Sequence, residues 1–157
     1  MPERKEICDC GQPQEMAEDP KCPVEFAENV NEFHLTDSSG GYWVMYFCPF
    51  CGGRLPESLR SRLFQRISDE ERARLILMTE HLRTEKEVLA ALGEPDDRNP
   101  HGVGRKIPEQ DGQPARETWY PVMLYRKLSE TADVRVTLYP NGKVSVSLQG
   151  KAISSGK

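Results

Sequence analysis

Past residue 51 the chain contains no cysteine, and nowhere does an apolar run approach the roughly 18–20 residues that a membrane-spanning helix requires. The second absence excludes a helical membrane anchor. The opening MPERKEICDC lacks the apolar core of a secretory signal, so the expected compartment is the cytoplasm. A basic excess is missing too: 21 Lys and Arg stand against 25 Asp and Glu, a net charge of −4. The segments 1–55, 56–98 and 99–157 carry −6, −2 and +4. An acidic N-terminal third repels phosphate, which argues against nucleic acid as the partner. No Gly-rich phosphate loop, nucleophile elbow or Ser/His/Asp arrangement is present, and the expectation is a protein that is not an enzyme. Hydrophobic residues are 37% of 157, enough for one ordinary domain or two small ones with little apolar residue to spare.

What the chain does have is five cysteines crowded into its first third: Cys8, Cys10, Cys22, Cys48 and Cys51. In a reducing compartment such clustering points to metal ligands more than to disulfides. Cys48 and Cys51 are separated by two residues in FCPFCGGRLP, followed by Gly52. That spacing wraps a tight turn with both sulfurs facing one ion, and the glycine permits the positive φ that turns backbone N–H groups toward the thiolates. Two cysteines do not complete a tetrahedral site. Cys8 and Cys10, in CDCG, are the leading partners; Cys22 in place of one of them stays open, and His34 is a remote donor. The expected cofactor is one structural Zn2+ held by Cys8, Cys10, Cys48 and Cys51. An all-thiolate set leaves no position for a reactive water.

The rest of the chain divides by its periodicity. Residues 1–24 read as loop. Residues 31–36 (NEFHLT) and 42–47 (YWVMYF) flank DSSGG and predict a β-hairpin. Leu59, Leu63, Phe64 and Ile67 share a helical face, predicting a helix through PESLRSRLFQRI. Ser68 with Glu71, and Thr84 with Glu87, are capping-box patterns for two more helices, the last ended by Gly93 and Pro95. Residues 94–116 read as a long loop, and Trp119–Leu128, Val134–Tyr139 and Val144–Leu148 as strands, with a turn at Asn141-Gly142. The predicted fold is therefore α+β. A zinc-ribbon β-hairpin module covers 1–55, and a second domain covers 56–157, with helices in 56–92, a loop at 94–116 and a three-stranded antiparallel meander in 117–150. Trp43 and Trp119 are expected in core or edge packing, Asp96-Asp97 in a turn, and His81 and His101 on the surface.

Three resemblances bear on function. Residues 8–67 resemble a family of small bacterial zinc-ribbon domains of unknown function. The carriers are Asp19-Pro20-Lys21-Cys22-Pro23, Gly40-Gly41 and CPFCGGRLPES with its CPxCGxxLP core. Residues 84–150 resemble the small α+β fold of the outer-membrane assembly lipoprotein and β-lactamase-inhibitor-like domains, through TEKEVLAALGEPDD, Trp119-Tyr120 and NGKV. That likeness implies a sheet offered to a protein partner. Cys48-Pro49-Phe50-Cys51 also resembles the glutaredoxin active site, but Gly52 and Gly53 stand where its helix should run. A zinc deaminase is excluded because His34 is followed by Leu-Thr instead of x-Glu. The expected function is a non-enzymatic zinc-binding module that binds another protein, with a toxin-neutralising immunity protein as one concrete form. A nucleic-acid-associated ribbon and a thiol oxidoreductase are the alternatives.

Overall fold

The structure, a computed structural model, describes residues 6–37 and 41–154. The chain forms two compact units, Met1–Arg60 with Lys106–Glu117, and Ser61–Arg105 with Thr118–Lys157. The architecture is α+β, with one three-stranded and one four-stranded antiparallel sheet.

In the first unit a short helix, α1 (Gln12–Glu18), precedes strands β1 (Val24–Ala27), β2 (Glu32–Thr36) and β3 (Tyr42–Met45). The segment 1–24, expected as loop, thus holds a helix with Pro13 in its first turn, where a missing N–H costs nothing. The β2–β3 hairpin is as expected; most of its DSSGG turn, residues 38–40, lies outside the described residues. Around it, Asp37 accepts the Gly41 amide through Oδ1 at 2.8 Å and donates its own N–H to the Gly41 carbonyl. The hairpin gains a third strand because β1 pairs with β2 from Val24↔Leu35 to Ala27↔Glu32. Alternation then sorts the faces. Val24, Phe26, Phe33 and Met45 share one, and build a core with Cys48 and Leu55. Glu32, His34 and Tyr42 share the other.

The second unit is helices on one face of a meander. The expected helix at 56–67 shrinks to a single turn, α2 (Arg60–Leu63). Its apolar periodicity loses to strand pairing: Leu63 accepts the Ile153 amide, Gln65 donates to the Lys151 carbonyl, and Phe64 bridges Ala152. The same pairing orders the tail as far as Ile153. Helices α3 (Asp69–Thr79) and α4 (Glu85–Leu92) start where the capping patterns place them. Ser68 Oγ accepts the Glu71 amide, and Thr84 with Glu87 closes a full capping box.

The sheet has four strands rather than the expected three: β4 (Asp97–Ile107), β5 (Arg116–Tyr125), β6 (Ala132–Leu138) and β7 (Val144–Gly150), in that order. Nearly half of the predicted loop at 94–116 is therefore β4. An edge strand with largely exposed side chains has no apolar alternation to display, and Pro100 is tolerated there because an edge N–H need not pair. Between β6 and β7 the turn falls one residue earlier than the expected Asn141-Gly142. Only Gly142 takes positive φ (78°), and its amide donates to Tyr139, so Pro140-Asn141 form the turn and Gly142 the bulge. Leu75, Val88, Met123, Val134 and Val136 are fully buried between helices and sheet. Tyr125 joins them and donates its hydroxyl to the Gly93 carbonyl at the end of α4.

Candidate metal centre

Strand β3 delivers the chain into Cys48, and the backbone folds back at once. The Gly52 amide donates to the Cys48 carbonyl at 2.9 Å, and the Cys48 amide to the Gly53 carbonyl at 2.8 Å. Gly52 holds φ at +72°, the left-handed conformation that glycine adopts without strain. The Gly53 amide then faces the Cys51 sulfur at 3.4 Å. A second knuckle is zipped alongside. Cys8 donates its amide to the Arg54 carbonyl, Arg54 returns its own to Glu6, and Ile7 bridges Arg54 in parallel. After Cys10, Gly11 (φ +75°) turns the chain into α1, whose Gln12 amide reaches back to the Cys10 sulfur.

Two distant stretches of sequence thereby bring Cys8, Cys10, Cys48 and Cys51 together, with all four sulfurs within 4.8 Å of one another. Cys8 Sγ and Cys48 Sγ each lie 3.6 Å from Cys10 Sγ. A metal–sulfur bond of about 2.3 Å implies a tetrahedron edge of about 3.8 Å, so the spacing suits ligation. All five cysteines are free thiols. Burial and the neighbouring thiols push Cys8 up to about 12. At Cys48 burial acts in the same direction, but the N–H groups of Cys51 and Phe50 prevail and hold the thiol down to about 7. Four sulfurs this close repel one another as thiolates unless a cation sits among them, and the amides of Cys51 and Phe50 already favour the anionic form of Cys48. The donor set fits a thiophilic metal ion: four soft ligands, Cys48 buried and the other three part-buried.

Cys22 lies outside this cluster. It packs beside the core around Val24 and Phe33, so the alternative in which it replaces Cys8 or Cys10 is not the arrangement formed. His34 is also elsewhere, on the opposite face of the sheet. There it stacks on Tyr42 at 4.2 Å and its Nε2 meets Glu32 Oε2 at 2.6 Å. Glu32 is the centre of a polar cluster that periodicity did not single out. Its side chain is 2% exposed and takes a two-pronged contact from Arg60 (Nε 3.1 Å, Nη2 2.8 Å) as well as the Ser58 hydroxyl. Burial alone would raise this carboxyl; Arg60, Ser58 and His34 together hold it down at about 2. The signal available in the sequence was the alternation Glu32-x-His34 within an apolar strand.

The remaining candidates fall as follows. After Cys51 the next helix begins at Arg60, so Cys48 is not at a helix N-terminus. Asp96 reaches beyond its own turn and accepts the amides of Arg126 and Lys127 at the end of β5. His101 is exposed in β4 and His81 follows α3. Trp43 is 60% and Trp119 49% exposed, so neither is in the core; Trp43 lies on the edge strand β3. Next to the cysteines along the chain, Ile7, Tyr46, Phe47 and Phe50 are 58–74% exposed, and Trp43 in β3 is 60% exposed, an unusual number of large apolar side chains in solvent. No helix is long and apolar enough to cross a membrane among the described residues.

Residues 2–74 match a family model described as Domain of unknown function (DUF6980), which takes in α1, the first sheet, all four clustered cysteines and most of α3. No curated protein and no solved structure matches the chain.

Proposed function

We propose that the first unit is a zinc-ribbon-type module with one structural Zn2+ on Cys8, Cys10, Cys48 and Cys51, and that the protein acts by binding another protein. The observation that carries this reading is a combination: a four-sulfur cluster whose neighbours along the chain, Ile7, Tyr46, Phe47 and Phe50, are exposed, with Trp43 also exposed in the strand that leads to it. A four-coordinate thiolate site leaves zinc no catalytic position, so its contribution is to fix the backbone that carries those side chains. Aromatic residues dominate the energetics of protein interfaces. The −6 charge of residues 1–55 favours a partner with a basic surface. Neutralisation of a basic toxin is one form this takes, and free thiols suit a reducing cytoplasm.

The test has two parts. Metal analysis is expected to find one zinc per chain, lost or weakened in single Ser variants of the four clustered cysteines and kept in Cys22→Ser. Crosslinking in the native host is expected to join the wild-type protein to a basic partner, and a Phe47→Ser/Phe50→Ser variant that retains zinc is expected to lose it. Equal capture by both proteins, or a chain that takes up no metal, defeats the proposal.

A further inference from the structure

The two faces of the four-stranded sheet differ in chemistry. One is sealed by the apolar core beneath α3 and α4. On the other, residues from all four strands line a groove of about 400 Å³ that Phe64 also borders. That volume falls within the range of small-molecule sites, about 300–1,000 Å³.

Its polar groups are unevenly satisfied. Arg135 is held from both sides, donating to Gln149 Oε1 at 3.3 Å and to the Gly102 carbonyl at 3.2 Å. Gly102 permits the close approach behind this contact, since a Cβ there would stand 2.6 Å from Val122 Cβ. Asp133, two residues before Arg135 on the same face, is different. Its Oδ1 is buried with no hydrogen-bond partner, the only such side-chain atom among the described residues. In the β5–β6 register Leu124 faces Arg135, which puts Arg126 beside Asp133. The Arg126 guanidinium makes only a long contact, 3.7 Å, with Asp97. The lining therefore balances Asp97 and Asp133 against Arg126 and Arg135. A purely anionic ligand meets Asp133, and a purely cationic one meets two arginines.

We propose that this groove binds a small zwitterion of the α-amino acid type. Its ammonium donates to Asp133 Oδ1, its carboxylate accepts from Arg126, and its side chain lies along Val122 and Leu124. Neighbouring cross-strand positions, with Cβ atoms about 4.5–5.5 Å apart, suit two charges carried on one short framework. The bound ammonium supplies the hydrogen bond that a buried carboxylate oxygen otherwise lacks.

Amide chemical shifts of the whole 157-residue chain, as isolated, provide the test, read during titration with leucine, isopentylamine (no carboxylate) and 4-methylpentanoate (no ammonium). Leucine is expected to shift the amides around Gly102, Leu124 and Arg135 saturably. Each truncated analogue should bind at least about tenfold more weakly, roughly 1.4 kcal/mol. Asp133→Asn should weaken leucine binding by a similar factor and abolish the preference for leucine over 4-methylpentanoate. If that variant does not fold, Arg126→Gln, with the matching loss of preference over isopentylamine, carries the test. No shifts up to about 10 mM ligand, where even millimolar affinity would saturate the site, overturns the proposal. So does isopentylamine binding as well as leucine.

Discussion

At Gly53 an added Cβ would stand 2.7 Å from the Cys8 amide nitrogen and 2.8 Å from its Cα. The contact is with backbone, which cannot swing aside. Gly53→Ala must therefore separate the two knuckles that bring the four sulfurs together. The expected result is a metal affinity lowered by about 10–100-fold, the usual cost of disturbing the shell around ligands, measured by competition with a chromophoric chelator. Unchanged affinity would mean that the knuckles are not coupled through this contact. Glu32 offers a second test. Its carboxyl is held at about 2 against an ordinary 4.5, a depressed value. Its stabilising contribution is thus complete above about 4.5 and drains away as the pH falls toward 2. Glu32→Ala leaves the buried His34 ring without its partner, while the partly exposed Arg60 can turn to water, and is expected to cost about 1–3 kcal/mol at neutral pH, read from urea denaturation. The difference from wild type should hold steady between about pH 7 and 5 and narrow below that. The contrast between these two residues marks what could be read from the chain. The cysteines declare themselves by type and spacing. Glu32 is one acid among many until the fold shows that Ser58 and Arg60, more than 25 residues later, close over it.

Local signals were reliable where the determinants were local. The two capping patterns placed α3 and α4, and Asn141-Gly142 placed a turn to within one residue, because each needs only three or four neighbouring residues. They failed where a distant segment decided the outcome. The apolar face of 56–67 is real, yet residues 63–65 pair with 151–153 because the tail returns alongside them. Gly150 is the pivot of that return: a Cβ there would come within van der Waals overlap of the Gln65 carbonyl oxygen. Gly150→Ala is accordingly expected to part the two segments and destabilise the protein by about 1–3 kcal/mol, the usual cost of overpacking. Thr84→Ala, which removes the capping box of α4, should cost only about 1 kcal/mol and leave the pairing intact. Hydrogen exchange at the Gln65 and Ile153 amides separates the two cases. Fast exchange in Gly150→Ala and protection in Thr84→Ala is the expected pattern. β4 was missed for a related reason. An exposed edge strand takes its hydrogen bonds from β5 and shows no alternation of its own.

Over the whole molecule, each unit carries its own hydrophobic cluster, and only one of them is built around thiols. Val24, Phe33 and Leu55 form a small nucleus completed by Cys48 and packed on by Cys8, Cys10 and Cys51. The second unit buries Leu75, Val88, Met123, Val134 and Val136 without any cysteine. A core of so few apolar residues falls in the size range where small domains need a metal or disulfides to fold. Binding free energy at a structural metal site is then folding free energy. Chelation is expected to act on the two units unequally. Excess chelator at neutral pH should collapse the dispersed amide signals of Val24, Phe33 and His34 toward unfolded positions, while those of Val88, Val134 and Val136 stay in place. Restoring zinc should recover the first set. Denaturant unfolding of the metal-free protein should then show one transition, of smaller amplitude than in the metal-loaded protein. If both sets of signals vanish together, the second core depends on the first unit for its stability. If neither moves, the clustered cysteines hold no ion that the fold requires.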